Sequence, residues 1–90
     1  MQKRLHAVIH GRVQGVSFRY YTVSAAQQLG LTGWVRNRPD GTVETIAEGQ
    51  QHQLDKFIDF LHNGSPAADV AQVTIGFDDA TGEFDNFGVR

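Results

Sequence analysis

The ninety-residue chain has no cysteine, which excludes disulfides and thiolate metal sites while leaving the compartment open. No apolar run is long enough to span a membrane, and the opening MQKRLHAVIHGRV holds no signal-type apolar region, so a cytoplasmic location is the default expectation. The dipeptide Gly-Lys occurs nowhere, which rules out the nucleotide-binding P-loop, and no G-x-G-x-x-G is present to hold a dinucleotide. Acids are missing from residues 1–38, where Lys3, Arg4, Arg12, Arg19, Arg36 and Arg38 stand unopposed. All ten Asp and Glu fall in residues 39–90, against only Lys56 and Arg90. The two stretches therefore carry +6 and −8, for a net charge of −2. In so short a chain they must interleave. The basic first stretch reads either as solvated surface charge or as the seat of an anionic ligand.

What is present suits one small domain, residues 1–90, near the lower size limit for a core without staples. Period-two alternation places Leu5, Ala7, Ile9 and Val13 on one face of a strand and His6, His10 and Arg12 on the other. SFRYYTVSAAQQLG follows as a helix, with Phe18, Thr22, Ala25, Ala26 and Leu29 at helical spacing, Ser17 as N-cap and Gly30 as stop. LTGWVRN and TVETIAEG form a hairpin across the turn RPDG. Leu54, Phe57, Ile58 and Leu61 mark a second helix that ends at HNG. DVAQVTIGF is a strand, DDATG a turn and EFDNFGVR a short last strand. The order predicts an α+β ferredoxin-like βαββαβ sandwich: an antiparallel sheet, two helices packed on one face, and a short extra C-terminal strand. Trp34, Phe57, Phe60 and Phe77 are expected in its core.

The stretch RVQGVSFRYY puts a loop at the entrance to the first helix. Such a loop presents N–H groups without intrahelical partners, and with the helix dipole these bind anions. Gly15 permits a tight turn, and Arg19 adds a planar fork for two oxygens of a phosphate or carboxylate. The same residues also fit a plain strand-to-helix turn whose arginine points to solvent. Asn37, at a strand end before Pro39-Asp40-Gly41, is either an amide placed for chemistry or the start of an Asx-turn. Arg36 and Arg38 alternate away from it and read as electrostatic surround. The four histidines argue against a metal: His6 and His10 stand about 13 Å apart along a strand, and His52 and His62 lie at opposite ends of a helix.

The stretches GRVQGVSFR (11–19) and LGLTGWVRNRPDGTVE (29–44) closely resemble the acylphosphatase family. Gly49 at a strand end, GSPAADVAQV (64–73) and a terminal strand ending in Arg90 agree, so the resemblance covers essentially the whole chain. It implies hydrolysis of the carboxyl–phosphate bond of acyl phosphates, without metal or cofactor. It implies that Arg19 and Asn37 are the catalytic residues and that the backbone of Gln14, Gly15, Val16, Ser17, Phe18 and Arg19 cradles the phosphate. Inorganic phosphate is then product and inhibitor, and a monomer that binds neither nucleic acid nor membrane is expected. Nothing in the sequence outlines a pocket for the acyl group, so broad selectivity is expected. Two other classes compete. An RNA-binding sheet is disfavoured because the ribonucleoprotein core motif is absent and RVQGVSFRYY sits before a helix. A module that binds an anionic metabolite without turnover is separable only by assay.

Overall fold

A computed structural model describes residues 2–90. The alternation in the first residues produces β1 (Gln2–Arg12), followed by α1 (Phe18–Gln28), β2 (Thr32–Asn37), β3 (Val43–Gln50), α2 (Gln51–Asn63), β4 (Asp69–Asp79) and β5 (Phe87–Val89). The sheet order is β4-β1-β3-β2-β5. The first four strands pair antiparallel, as the βαββαβ order requires, while β5 joins β2 in parallel. The parallel edge follows from the route of the chain: after β4 it crosses the sheet and arrives beside β2 running the same way.

Leu5, Ala7 and Ile9 of β1, Val35 of β2 and Val43 and Ala47 of β3 share one buried layer with Phe18 and Ala26 of α1 and Leu54, Phe57 and Leu61 of α2. The helical spacings predicted for both helices thus supply the residues that cover the sheet. α1 stops where Gly30 takes φ 71°, so that its N–H bonds to Gln27 O and that of Leu31 to Ala26 O.

Three aromatic residues expected in the core are not fully in it. Phe57 is completely buried, but Phe60 is half-buried, stacked at 6.2 Å on Phe57. Trp34 lies half-buried on the opposite face of the sheet, between the guanidinium groups of Arg36 and Arg90 at 5.4 and 4.9 Å from its ring. Phe77 remains 46% exposed. It faces the helix side, paired with Leu5, but β4 is an edge strand, and lateral position in a sheet leaves no trace in local periodicity. No helix among the described residues is long and apolar enough to cross a membrane.

The basic and acidic stretches interleave by pairing. Lys3 meets Asp79, Arg4 meets Glu48 and Glu83, His6 and Arg36 meet Glu44, and Arg38 meets Asp40. Among the described residues of the basic stretch, Arg12 and Arg19 have no carboxylate within ion-pair distance.

Candidate active site

The loop between β1 and α1 is built by alternation. Gln14, Val16 and Phe18 turn inward: Val16 and Phe18 are buried, Val16 O accepts a 2.6 Å hydrogen bond from Ser65 Oγ, and the Gln14 amide reaches the β2–β3 turn. Gly15, Ser17 and Arg19 are exposed. The outward turns need left-handed backbone, φ 73° at Gly15 and 61° at Ser17. Glycine adopts that region freely. For an L residue it costs about 1–2 kcal/mol, and strain of this kind concentrates at ligand sites. Ser17 does stand at the N-cap position of α1, but in the left-handed conformation its hydroxyl makes no capping bond. No acid occupies the first helical turn either. The N-terminal N–H groups of α1 therefore keep their capacity for an anion, with the helix dipole behind them. Loops carrying left-handed residues are also the ones whose successive N–H groups converge on anions.

Asn37 ends β2 opposite Val43, on the helix-facing side of the sheet. It is not the Asx-turn residue. That turn belongs to Asp40, whose Oδ1 accepts the Thr42 N–H at 3.0 Å and the Thr42 hydroxyl at 2.6 Å. Those two bonds, the hydroxyl first, hold the Asp40 carboxyl below its ordinary pKa. The Asn37 Oδ1 atom is buried and accepts no hydrogen bond among the described residues. A buried amide oxygen without a protein donor is costly, and such an exception calls for a partner such as a water or a ligand. Arg36 and Arg38 are engaged with Glu44 and Asp40, in keeping with a surrounding role.

A groove of about 580 Å³ brings these groups together, lined by Val13, Gly15, Ser17, Phe18, Arg19, Tyr20, Val23, Asn37 and Val89. Arg19 makes no hydrogen bond or ion pair among the described residues, so its fork is free. Of the residues named in the sequence as candidates, Arg19, Asn37, Gly15, Ser17 and Phe18 line the groove, whereas Gln14 and Val16 lie behind it. Sequence reasoning missed Tyr20, Val23 and Val89. They add apolar surface to the groove that Arg19 and Asn37 line. Tyr20 is exposed and Val23 packs half-buried at the edge of the core, and nothing local could have brought Val89 to them. No three His, Cys, Asp or Glu side chains among the described residues cluster at ligand distance.

An acylphosphatase family model matches residues 5–89. The chain is 52% identical over 85 residues to an acylphosphatase of Acaryochloris marina, covering 94% of this chain and 90% of that one. It is 46% identical over 86 residues to one of Pelotomaculum thermopropionicum, covering 96% and 94%. The crystal structure of acylphosphatase from Bacillus subtilis superposes with a TM-score of 0.95 at 35% identity, covering 98% of each chain. Matched in sequence from β1 to β5 and in fold along nearly its full length, the chain belongs to the acylphosphatase family.

Proposed function

We propose that Arg19 and the loop amides hold the phosphoryl group of an acyl phosphate while Asn37 orients the water that attacks it. The observation that carries this reading is the meeting, in one groove, of an unpaired guanidinium and a buried amide oxygen without a donor. The phosphoryl oxygens take the Arg19 fork and the N–H groups of the loop and first helical turn, whose stabilisation grows as charge develops on them. The Asn37 side-chain amide holds the water so that its lone pair faces phosphorus. The phosphorus–oxygen bond to the acyl group breaks, and the electron pair leaves on a carboxylate.

A carboxylic acid has a pKa of about 4, so that leaving group departs without a general acid. An alkyl ester would have to expel an alkoxide about as basic as hydroxide, the conjugate base of water with its pKa near 15.7. The site therefore selects acyl phosphates over ordinary phosphate esters by leaving-group chemistry. Neither a carboxylate nor an imidazole lines the groove. The proton released by the water passes to a phosphoryl oxygen. The reaction needs no metal, and the apolar wall of Tyr20, Val23 and Val89 receives the acyl group.

The test is hydrolysis of benzoyl phosphate in excess EDTA by the wild type and Arg19→Ala. Chelator-insensitive turnover that disappears in the variant is expected. A folded wild type that binds phosphate but turns nothing over would instead make the protein a non-catalytic anion-binding module.

A further inference from the structure

We propose that the Gln14 side chain is a positioning residue for the hydrolytic step, fixing the phosphate cradle at a set distance from the amide of Asn37. This rests on the roles assigned above to the loop and to Asn37. β1 and β2 are not neighbours in the sheet, because β3 lies between them. β3 begins at Val43, which pairs with Ile9 on one side and Asn37 on the other. Beyond Val43 no strand separates the two halves of the site. On one side runs the loop of residues 13–17; on the other is the turn of residues 38–42 that follows Asn37.

Gln14 spans that gap. Its Nε2 donates to the carbonyl of Arg38 at 2.8 Å and to that of Thr42 at 2.9 Å. Two carbonyl acceptors at one atom identify that atom as the nitrogen, and both of its protons are used. Among the described residues these are the only side-chain hydrogen bonds between the loop and the β2–β3 turn. The same carbonyls accept the Gly41 and Arg38 N–H groups, so the amide ties into bonds that shape the turn itself. Gln14 precedes Gly15 of the cradle and Arg38 follows Asn37, so the link joins the two halves one residue from each.

The loop has other anchors, the buried Val16 and Phe18 side chains and the Ser65 bond to Val16 O. Loss of the Gln14 amide should therefore leave the cradle folded and disturb its spacing. Misplacement of reacting groups by about 1 Å costs up to about a hundredfold in rate.

The decisive experiment is a double-mutant cycle on benzoyl phosphate hydrolysis with Gln14→Met, which keeps the length and removes both donors, in the wild-type and Asn37→Ala backgrounds. In the wild-type background kcat should fall about ten- to a hundredfold. KM and inhibition by inorganic phosphate should stay within about twofold. In the Asn37→Ala background the further loss should be no more than about twofold, because the group being positioned is already gone. Equal losses in both backgrounds, or a loss of phosphate affinity that matches the loss of rate, would overturn the proposal and leave Gln14 a structural tie. Should Gln14→Met fail to fold, Gln14→Leu, which is uncharged and also lacks donors, is read by the same criteria. Additive losses with normal wild-type turnover sink the role of Gln14 alone; absent wild-type turnover sinks the reading beneath it as well.

Discussion

Asn37 and Asp40 stand three residues apart in one short stretch, and their side chains do different things. Both residue types make Asx-turns, so the sequence leaves open which one does. Asp40 takes the turn by accepting two bonds from Thr42, and that leaves Asn37, which lines one groove with Arg19, with no protein donor to its oxygen among the described residues. The division of labour between the two groove residues is measurable. Arg19→Ala should lose about a thousandfold or more in activity and weaken inhibition by phosphate, because the guanidinium both binds and stabilises charge. Asn37→Ala should lower kcat about a hundredfold or more, while inhibition by phosphate survives. Equal loss of phosphate affinity in the two variants would contradict the assignment. The motifs made Arg19 and Asn37 visible in the sequence. Gln14 was visible only as backbone, since where its side chain goes depends on a turn 24 residues away.

At the scale of elements, period two marked β1 and period 3.6 marked both helices, because each of these buries a face. They could not show that β4 is an edge, that Phe77 stays half in water, or that β5 runs parallel to β2. Those features depend on which distant segment lies alongside. The segment leading to β5 is held by one buried carboxylate. Glu48, 2% exposed on β3, accepts the N–H groups of Thr81 at 2.9 Å and Gly82 at 3.0 Å and the Thr81 hydroxyl at 3.1 Å, near Arg4. Burial alone would raise its pKa, but these bonds and the Arg4 charge outweigh it and hold the group below 4.5. A carboxyl more acidic folded than unfolded contributes stability in full above the unfolded value. The contribution drains away as pH falls through the folded one. Glu44, hydrogen-bonded to His6 and Arg36, has the same sign. Thermal melts should therefore show stability falling below about pH 5. Glu48→Gln, which presents an amide N–H₂ to backbone donors, should cost about 1–3 kcal/mol at pH 7 and flatten the acid limb. An unchanged limb would place the acid sensitivity elsewhere.

At the scale of the molecule, the groove is assembled from the β1–α1 loop, α1, the end of β2 and β5. Its apolar wall faces one cation and no acid, which suits an uncharged acyl chain. Acetyl and butanoyl phosphate leave as carboxylates of nearly equal acidity, so comparing them isolates the chain. Each fully buried methylene is worth about 0.8 kcal/mol, roughly fourfold, so kcat/KM should rise several-fold from acetyl to butanoyl in this half-open groove. Val23→Ser should shrink the rise, and a ratio near one in the wild type would mean that the acyl group points to solvent.

β1 is paired on both sides, and both of its partners come later in the chain, at residues 43–50 and 69–79. A nascent chain therefore exposes an alternating apolar strand with two open edges until residues 43–79 have followed it. Such a strand invites pairing with other chains, and contacts this distant in sequence form slowly. Ser65, which ties down the loop, emerges between those two partners of β1, and Val89, which lines the groove with the loop, after both. The β1–α1 loop leaves the ribosome before the residues that give it its shape.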